Sequence, residues 1–110
     1  MEEEINILIA DRIAQEGIDL LRLQLPEARI DVHYGLKPEQ LKGMIGNYTA
    51  LVVRSETQVT SEILAVADTL KIVGRAGVGV DNIDIEAATR RGIMVVNSPT
   101  GNIVAAAEHT

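Results

Sequence analysis

Short aliphatic runs alternate with helix-patterned segments along nearly the whole chain, and this alternation limits the fold more than any other feature. Ile5-Asn6-Ile7-Leu8-Ile9-Ala10 reads as a buried strand ending at Asp11. From Ala14 to Leu25, Ile18, Leu21 and Leu25 recur at the spacing of one helix face, and Pro26 closes the segment. Arg29 to His33 alternates as a second strand, and Pro38 suits the first turn of a helix through Leu41, Met44 and Ile45 to Gly46. Ala50-Leu51-Val52-Val53 is the third strand, and Thr60 is the expected cap of a helix from Ser61 to Ala67. Lys71-Ile72-Val73 is the fourth strand, running into Gly74-Arg75-Ala76-Gly77. Asp84 caps a helix from Ile85 to Arg91 that Gly92 stops, and Ile93-Met94-Val95-Val96 is the fifth strand. Turn residues fill Asn97 to Asn102, and a last helix begins at Ile103.

Strand–helix alternation with short connections builds βαβ units, whose right-handed crossovers give a parallel sheet covered on both faces. The expected fold is therefore α/β, a flavodoxin-like five-stranded parallel sheet in the order 2-1-3-4-5 with helices on both faces. With 110 residues there is room for one domain. Aromatic residues make up only 2% of the chain, so its core must be aliphatic. The closing apolar stretch, Ile103 to Ala107, has only about two turns before the chain ends, too few to hold a helix alone. It reads as part of a helix that continues in a longer protein.

Composition excludes several functions. The chain has no cysteine, hence no disulfide, thiolate zinc site or cysteine nucleophile. Its net charge is −6 and its ten Lys and Arg are scattered, so no nucleic-acid partner is expected. The acidic start Met1-Glu2-Glu3-Glu4 does not suit a signal peptide, and no apolar run is long enough to span a membrane, which gives a cytoplasmic protein as the expectation.

Ligands of open α/β sheets bind beyond the carboxyl ends of the strands. That edge gathers Asp11, Arg54 and Ser55, Arg75 to Gly79, and Asn97 to Asn102. Two arginines on one rim of an acidic chain are notable, because a guanidinium offers a planar fork matched to carboxylate or phosphate. The plainer alternative is that each pairs with a surface acid such as Glu56 or Asp81. Gly77-Val78-Gly79 would let backbone amides approach an anion. It is not a dinucleotide fingerprint, since the third glycine position holds Asn82. His33 and His109 lack a metal-ligand partner at i+4, and Glu108-His109 is read as an ordinary adjacent pair. Asp81, Asp84 and Glu86 lack the spacing of a calcium loop and read as acids at a helix start, so no metal is expected.

The segment Arg75-Ala76-Gly77-Val78-Gly79-Val80-Asp81-Asn82-Ile83-Asp84 resembles the substrate domain of the D-isomer-specific 2-hydroxyacid dehydrogenases. So do Val52-Val53-Arg54-Ser55 with Thr57, Val59 and Thr60, and Ala87-Ala88-Thr89-Arg90-Arg91-Gly92-Ile93. Asn97-Ser98-Pro99-Thr100-Gly101-Asn102 followed by Ala105-Ala106-Ala107-Glu108 extends the likeness, which covers Ile5 to Thr110. The resemblance implies NAD-linked oxidation of 3-phosphoglycerate at its C2 hydroxyl to 3-phosphohydroxypyruvate, the first step toward serine. It implies that Arg54 and Arg75 bind the anionic substrate and that the amides of Val78 and Gly79 hold its carboxylate. Val78 would also lie near the nicotinamide of NAD, and Asn102 near the substrate and an interdomain hinge.

The implied organisation is a substrate-binding domain over residues 1–97 and a hinge with the start of an interdomain helix over 98–110. The catalytic residues and the nucleotide-binding domain would lie outside this chain, leaving it inactive alone. A homo-oligomer is expected, with the apolar face of Ile103 to Ala107 favouring self-association. Two alternatives stand beside this reading. One is a relative acting on glyoxylate or hydroxypyruvate; the other is a non-catalytic receiver-like signalling domain, which Arg54 disfavours because it stands where a phospho-accepting Asp belongs.

Overall fold

The computed structural model describes residues 5–76 and 81–97. In chain order these form β1 (Asn6–Ile9), α1 (Gln15–Gln24), β2 (Arg29–Val32), α2 (Pro38–Met44), β3 (Ala50–Val53), α3 (Ser61–Ala65), β4 (Ile72–Arg75), α4 (Ile85–Arg90) and β5 (Met94–Asn97). The strands make one sheet in the order β2-β1-β3-β4-β5, with every neighbouring pair parallel. This is the order and the α/β class that the strand–helix alternation implies.

The division of helices between the faces follows from that order. The chain steps outward from β1 to β2, then moves back across β1 to β3 and on through β4 to β5. Right-handed crossovers taken in opposite directions along the sheet put α1 on one face and α2, α3 and α4 on the other. Packing agrees. Leu8, Leu51, Val53 and Val73 bury against Leu41 of α2, Ile63 and Leu64 of α3, and Ala87 and Ala88 of α4. The alternate residues Ile7, Ile9, Ala50, Val52 and Ile72 meet Ile18 and Leu21 of α1 on the reverse. Consecutive strand residues point to opposite faces, so central strands buried on both sides read as unbroken aliphatic runs.

Local chemistry sets the element ends. Pro38 occupies the first turn of α2, and the Gln40 side chain accepts a 2.9 Å hydrogen bond from the Lys37 N–H. A 3₁₀ turn, Ile45–Asn47, follows it. Thr60 Oγ1 accepts from the Ile63 N–H at 3.4 Å, and Asp84 Oδ1 accepts from the Ala87 N–H at 3.0 Å, so both expected caps are present. Gly92 ends α4 with φ at +73°, the left-handed conformation that glycine adopts without steric penalty.

Most elements begin or end within a residue or two of the sequence reading, and two of the differences have a clear physical cause. The helix expected to run to Ala67 stops at Ala65, just before the β-branched Val66. The fourth strand does not stop at Val73. It continues through Gly74, which pairs with Val52 on one side and Val96 on the other, and includes Arg75 opposite Val53. Ladder bonds from both neighbours keep Gly74 extended where its own propensity favours a turn. Arg75 is thus held by a central strand.

Candidate functional site

The carboxyl ends of β1, β3 and β4 meet along one edge. Arg54 is the first residue beyond β3, and Arg75 is the last of β4, in register with Val53. Arg75 Nε lies 3.3 Å from the Arg54 carbonyl oxygen and donates to it, while the Ala76 N–H donates to the Val53 carbonyl at 2.9 Å. The sheet therefore brings these two sequence-expected residues side by side. Arg54 is exposed, and among the described residues no ion pair joins its side chain to Glu56 or Asp81. Ser55 and Asn97 are exposed on the same edge. Val78, Gly79 and Asn102 lie outside the described residues.

Asp11 has a different role from the one its place in the sequence suggests. It is only 2% exposed, and its carboxylate is taken up by the loop that follows β3. Oδ2 accepts from the Arg54 N–H at 2.8 Å and from the Thr57 N–H at 2.9 Å, and Oδ1 accepts from the Thr57 hydroxyl at 2.6 Å. A buried carboxylate that receives three donors is a structural acceptor.

Asn82, 7% exposed, grips the same loop from the other side. Its Nδ2 donates to the carbonyls of Arg54 at 2.5 Å and Thr57 at 2.6 Å. Its Oδ1 is buried without a hydrogen-bond partner. The backbone extends this attachment, because the Val59 N–H donates to the Asn82 carbonyl at 2.8 Å and the Asp84 N–H to the Val59 carbonyl at 2.9 Å. Sequence reasoning missed both roles. The available signal was a small polar residue placed directly after a buried strand, at Asp11, and an amide standing where a glycine pattern breaks, at Asn82.

Beside this loop a cleft of about 210 Å³ opens between Asp11, Leu36, Pro38, Leu41, Glu56 and Thr57. No group of three or more metal-ligating side chains occurs among the described residues. His33 stands exposed just past β2, with its N–H bonded to the Ile9 carbonyl. The titration shifts fall elsewhere, at the β2 edge of the sheet, where Asp31 meets the buried Tyr48. There the Tyr48 hydrogen bond holds Asp31 below its ordinary range, and burial, helped by that bond, pushes Tyr48 up to about 12. Chemically, the edge offers two guanidinium groups held by adjacent strands, a donor set that can bind and orient an anion.

Comparison with known proteins gives the family and the fold relatives of the chain. The family model described as D-isomer specific 2-hydroxyacid dehydrogenase, catalytic domain, matches residues 7–110. D-3-phosphoglycerate dehydrogenase of Synechocystis is 52% identical over 104 residues, covering 94% of this chain and 18% of its own length. The enzyme of the same name from Archaeoglobus fulgidus is 50% identical over 104 residues, covering 94% and 19%. The chain thus spans about a fifth of the length of these relatives. Among solved structures, the NAD+-bound 3-phosphoglycerate dehydrogenase of Entamoeba histolytica superposes with a TM-score of 0.73 at 30% identity, over 86% of this chain and 33% of that one. The PH0520 protein of Pyrococcus horikoshii gives 0.79 at 30% identity, over 87% and 28%.

Proposed function

The chain belongs to the D-isomer specific 2-hydroxyacid dehydrogenases, and from that premise we propose that residues 1–97 are the substrate-binding part of an NAD-dependent enzyme that oxidises 3-phosphoglycerate to 3-phosphohydroxypyruvate. Residues 98–110 form the hinge and the start of an interdomain helix in this reading. The observation that carries it is the juxtaposition of Arg54 and Arg75 at the ends of adjacent strands, joined through the Arg54 carbonyl, in a chain whose net charge is −6. The substrate bears about three negative charges near neutral pH, since the second pKa of a phosphate monoester is ~6. Two arginines on an acidic background form a local attraction specific to such a ligand. The amides of Val78 and Gly79 and the side chain of Asn102 complete the proposed contacts.

The described residues do not fit NAD itself. They contain no glycine-rich turn between a strand and a helix, and their positive-φ glycines, Gly35 and Gly92, serve other turns. From the family likeness we assign the main cofactor contacts to residues outside this chain, with Val78 as the neighbour of the nicotinamide end. Substrate binding and orientation are what these residues contribute. No described helix is long and apolar enough to cross a membrane. A cytoplasmic homo-oligomer belongs to the same reading, and sedimentation as a clean monomer at high concentration would count against it.

The test is a graft. Residues 7–110 of this chain replace the matching segment of the full-length Synechocystis enzyme, and NADH formation is measured. The graft should oxidise 3-phosphoglycerate, whereas the 110-residue chain alone should form no NADH. Arg54→Ala and Arg75→Ala should each raise the KM for 3-phosphoglycerate about tenfold or more, the value of a charge-assisted contact. Equal losses toward phosphorylated and unphosphorylated 2-hydroxyacids would remove the support for phosphate, and favour the glyoxylate- or hydroxypyruvate-type alternative.

A further inference from the structure

We propose that Asp11 and Asn82 are positioning residues for substrate binding: together they clamp the Arg54–Thr57 loop from opposite sides and so fix where Arg54 stands, an inference that rests on the reading of Arg54 as an anion contact. All four backbone groups at the two ends of this loop are claimed by these two side chains. Asp11 takes the N–H of Arg54 and of Thr57, and Asn82 takes their two carbonyls. Both clamping side chains are at least nine-tenths buried, although the loop residues Arg54, Ser55 and Glu56 are exposed. Burying a carboxylate and an amide is costly unless their bonds hold something in place. Here the residues held add nothing to the core, so the fixed geometry serves what the loop displays.

The chemistry of the clamp separates positioning from bulk stability. Asp11 Oδ2 receives both backbone N–H groups and Oδ1 receives only the Thr57 hydroxyl. An asparagine can keep this pattern: its Oδ1 accepts from the two N–H groups while its NH₂ donates to the Thr57 oxygen, reversing one bond. At Asn82 the polarity cannot be exchanged. An aspartate there would set a carboxylate oxygen against two carbonyl oxygens and push the loop away. The Arg54 carbonyl also receives Arg75 Nε, so a displaced loop disturbs both arginines.

In the grafted full-length enzyme, Asp11→Ala and Asn82→Asp should each raise the KM for 3-phosphoglycerate about tenfold, because a shift of about 1 Å in a binding group suffices for losses of that order. The KM for NAD should not change, and Asp11→Asn should stay within about twofold of the parent. Since KM does not depend on the fraction of enzyme that is folded, partial instability does not mimic the effect. Thr57→Val, which removes only the hydroxyl bond, serves if Asp11→Ala fails to fold, and should raise substrate KM in the same direction. Combined with Arg54→Ala, the clamp variants should add clearly less than their tenfold effect in the parent, the remainder passing through Arg75, because groups that act through one another are not additive. Equal effects with and without Arg54, a parallel rise in the KM for NAD, or equal losses for Asp11→Asn and Asp11→Ala would overturn the positioning role. If Arg54→Ala alone leaves substrate KM unchanged, the anion-site reading falls and takes this proposal with it. If Arg54→Ala raises KM and the clamp variants do not, only the positioning role falls.

Discussion

The Tyr48 hydroxyl donates a 2.7 Å hydrogen bond to Asp31 Oδ2, tying the residue that leads into β3 to the edge strand β2. Each partner alters the other's titration. The bond to Tyr48, aided by Arg29 and opposed by burial, lowers Asp31 from its ordinary 3.8, while burial first and the Asp31 bond second raise Tyr48 from 10.0 to about 12. A carboxyl whose pKa is lowered on folding contributes stability above its unfolded value and loses it as pH falls through the folded one. A phenol whose pKa is raised contributes fully below 10.0 and loses it as pH rises through about 12. Tyr48→Phe should thus cost about 1–2 kcal/mol near neutral pH by urea unfolding, with a gap that narrows below pH ~4. In a Tyr34→Phe background, tyrosinate absorbance should half-rise near 12 while circular dichroism remains native; a half-rise near 10 would contradict the shift.

Leu51 is fully buried in the central strand β3, on the face covered by α2, α3 and α4. Leu51→Ala leaves a void between sheet and helices that such packing fills only in part. Its cost should be about 2–5 kcal/mol in chemical denaturation, with an unchanged denaturant slope. A cost under about 1 kcal/mol would mean that the two layers close over the gap.

Gly43 and Gly92 should respond to alanine with opposite signs. A Cβ at either position meets no heavy atom within 4 Å, so contacts play no part. Gly92 has φ at +73° and Gly43, inside α2, is not in that region. Gly92→Ala should destabilise by about 1–2 kcal/mol, whereas Gly43→Ala should stabilise by about 0.5–1 kcal/mol. Matching signs in thermal unfolding would show that the backbone assignment at one of them is wrong.

The two helix caps should differ in weight. Asp84 accepts its N–H at 3.0 Å and adds a negative charge at the start of α4, while Thr60 accepts at the longer 3.4 Å. Asp84→Ala should cost about 1 kcal/mol and Thr60→Ala less, about 0.5 kcal/mol. The reverse ranking by urea unfolding would count against the cap geometry.

Elements governed by local rules were legible from the sequence. The β3 run Ala50–Val53 coincides with its strand, and the caps Thr60 and Asp84 and the stop at Gly92 act where their chemistry places them. The strand order follows from alternation and crossover handedness. Gly74 and Arg75 did not read as strand, because extended backbone there depends on β3 and β5 pairing from either side. The placement of Arg54 and Arg75 on one rim could be read from strand ends. The partners of Asp11 and Asn82 could not, since each bond joins residues 25 to 46 positions apart and no local period encodes them.

The 43 positions between Asp11 and the Arg54 amide it receives have a kinetic meaning. A loop of this length closes only after β1 lies beside β3, so the rim bearing the arginines is among the last features the chain acquires. Hydrogen exchange at the Arg54 amide should therefore track global opening, and exchange much faster than that of Val52 would show the rim fluctuating independently. A lesion in β1, remote from any ligand, would disarm the rim as fully as losing an arginine.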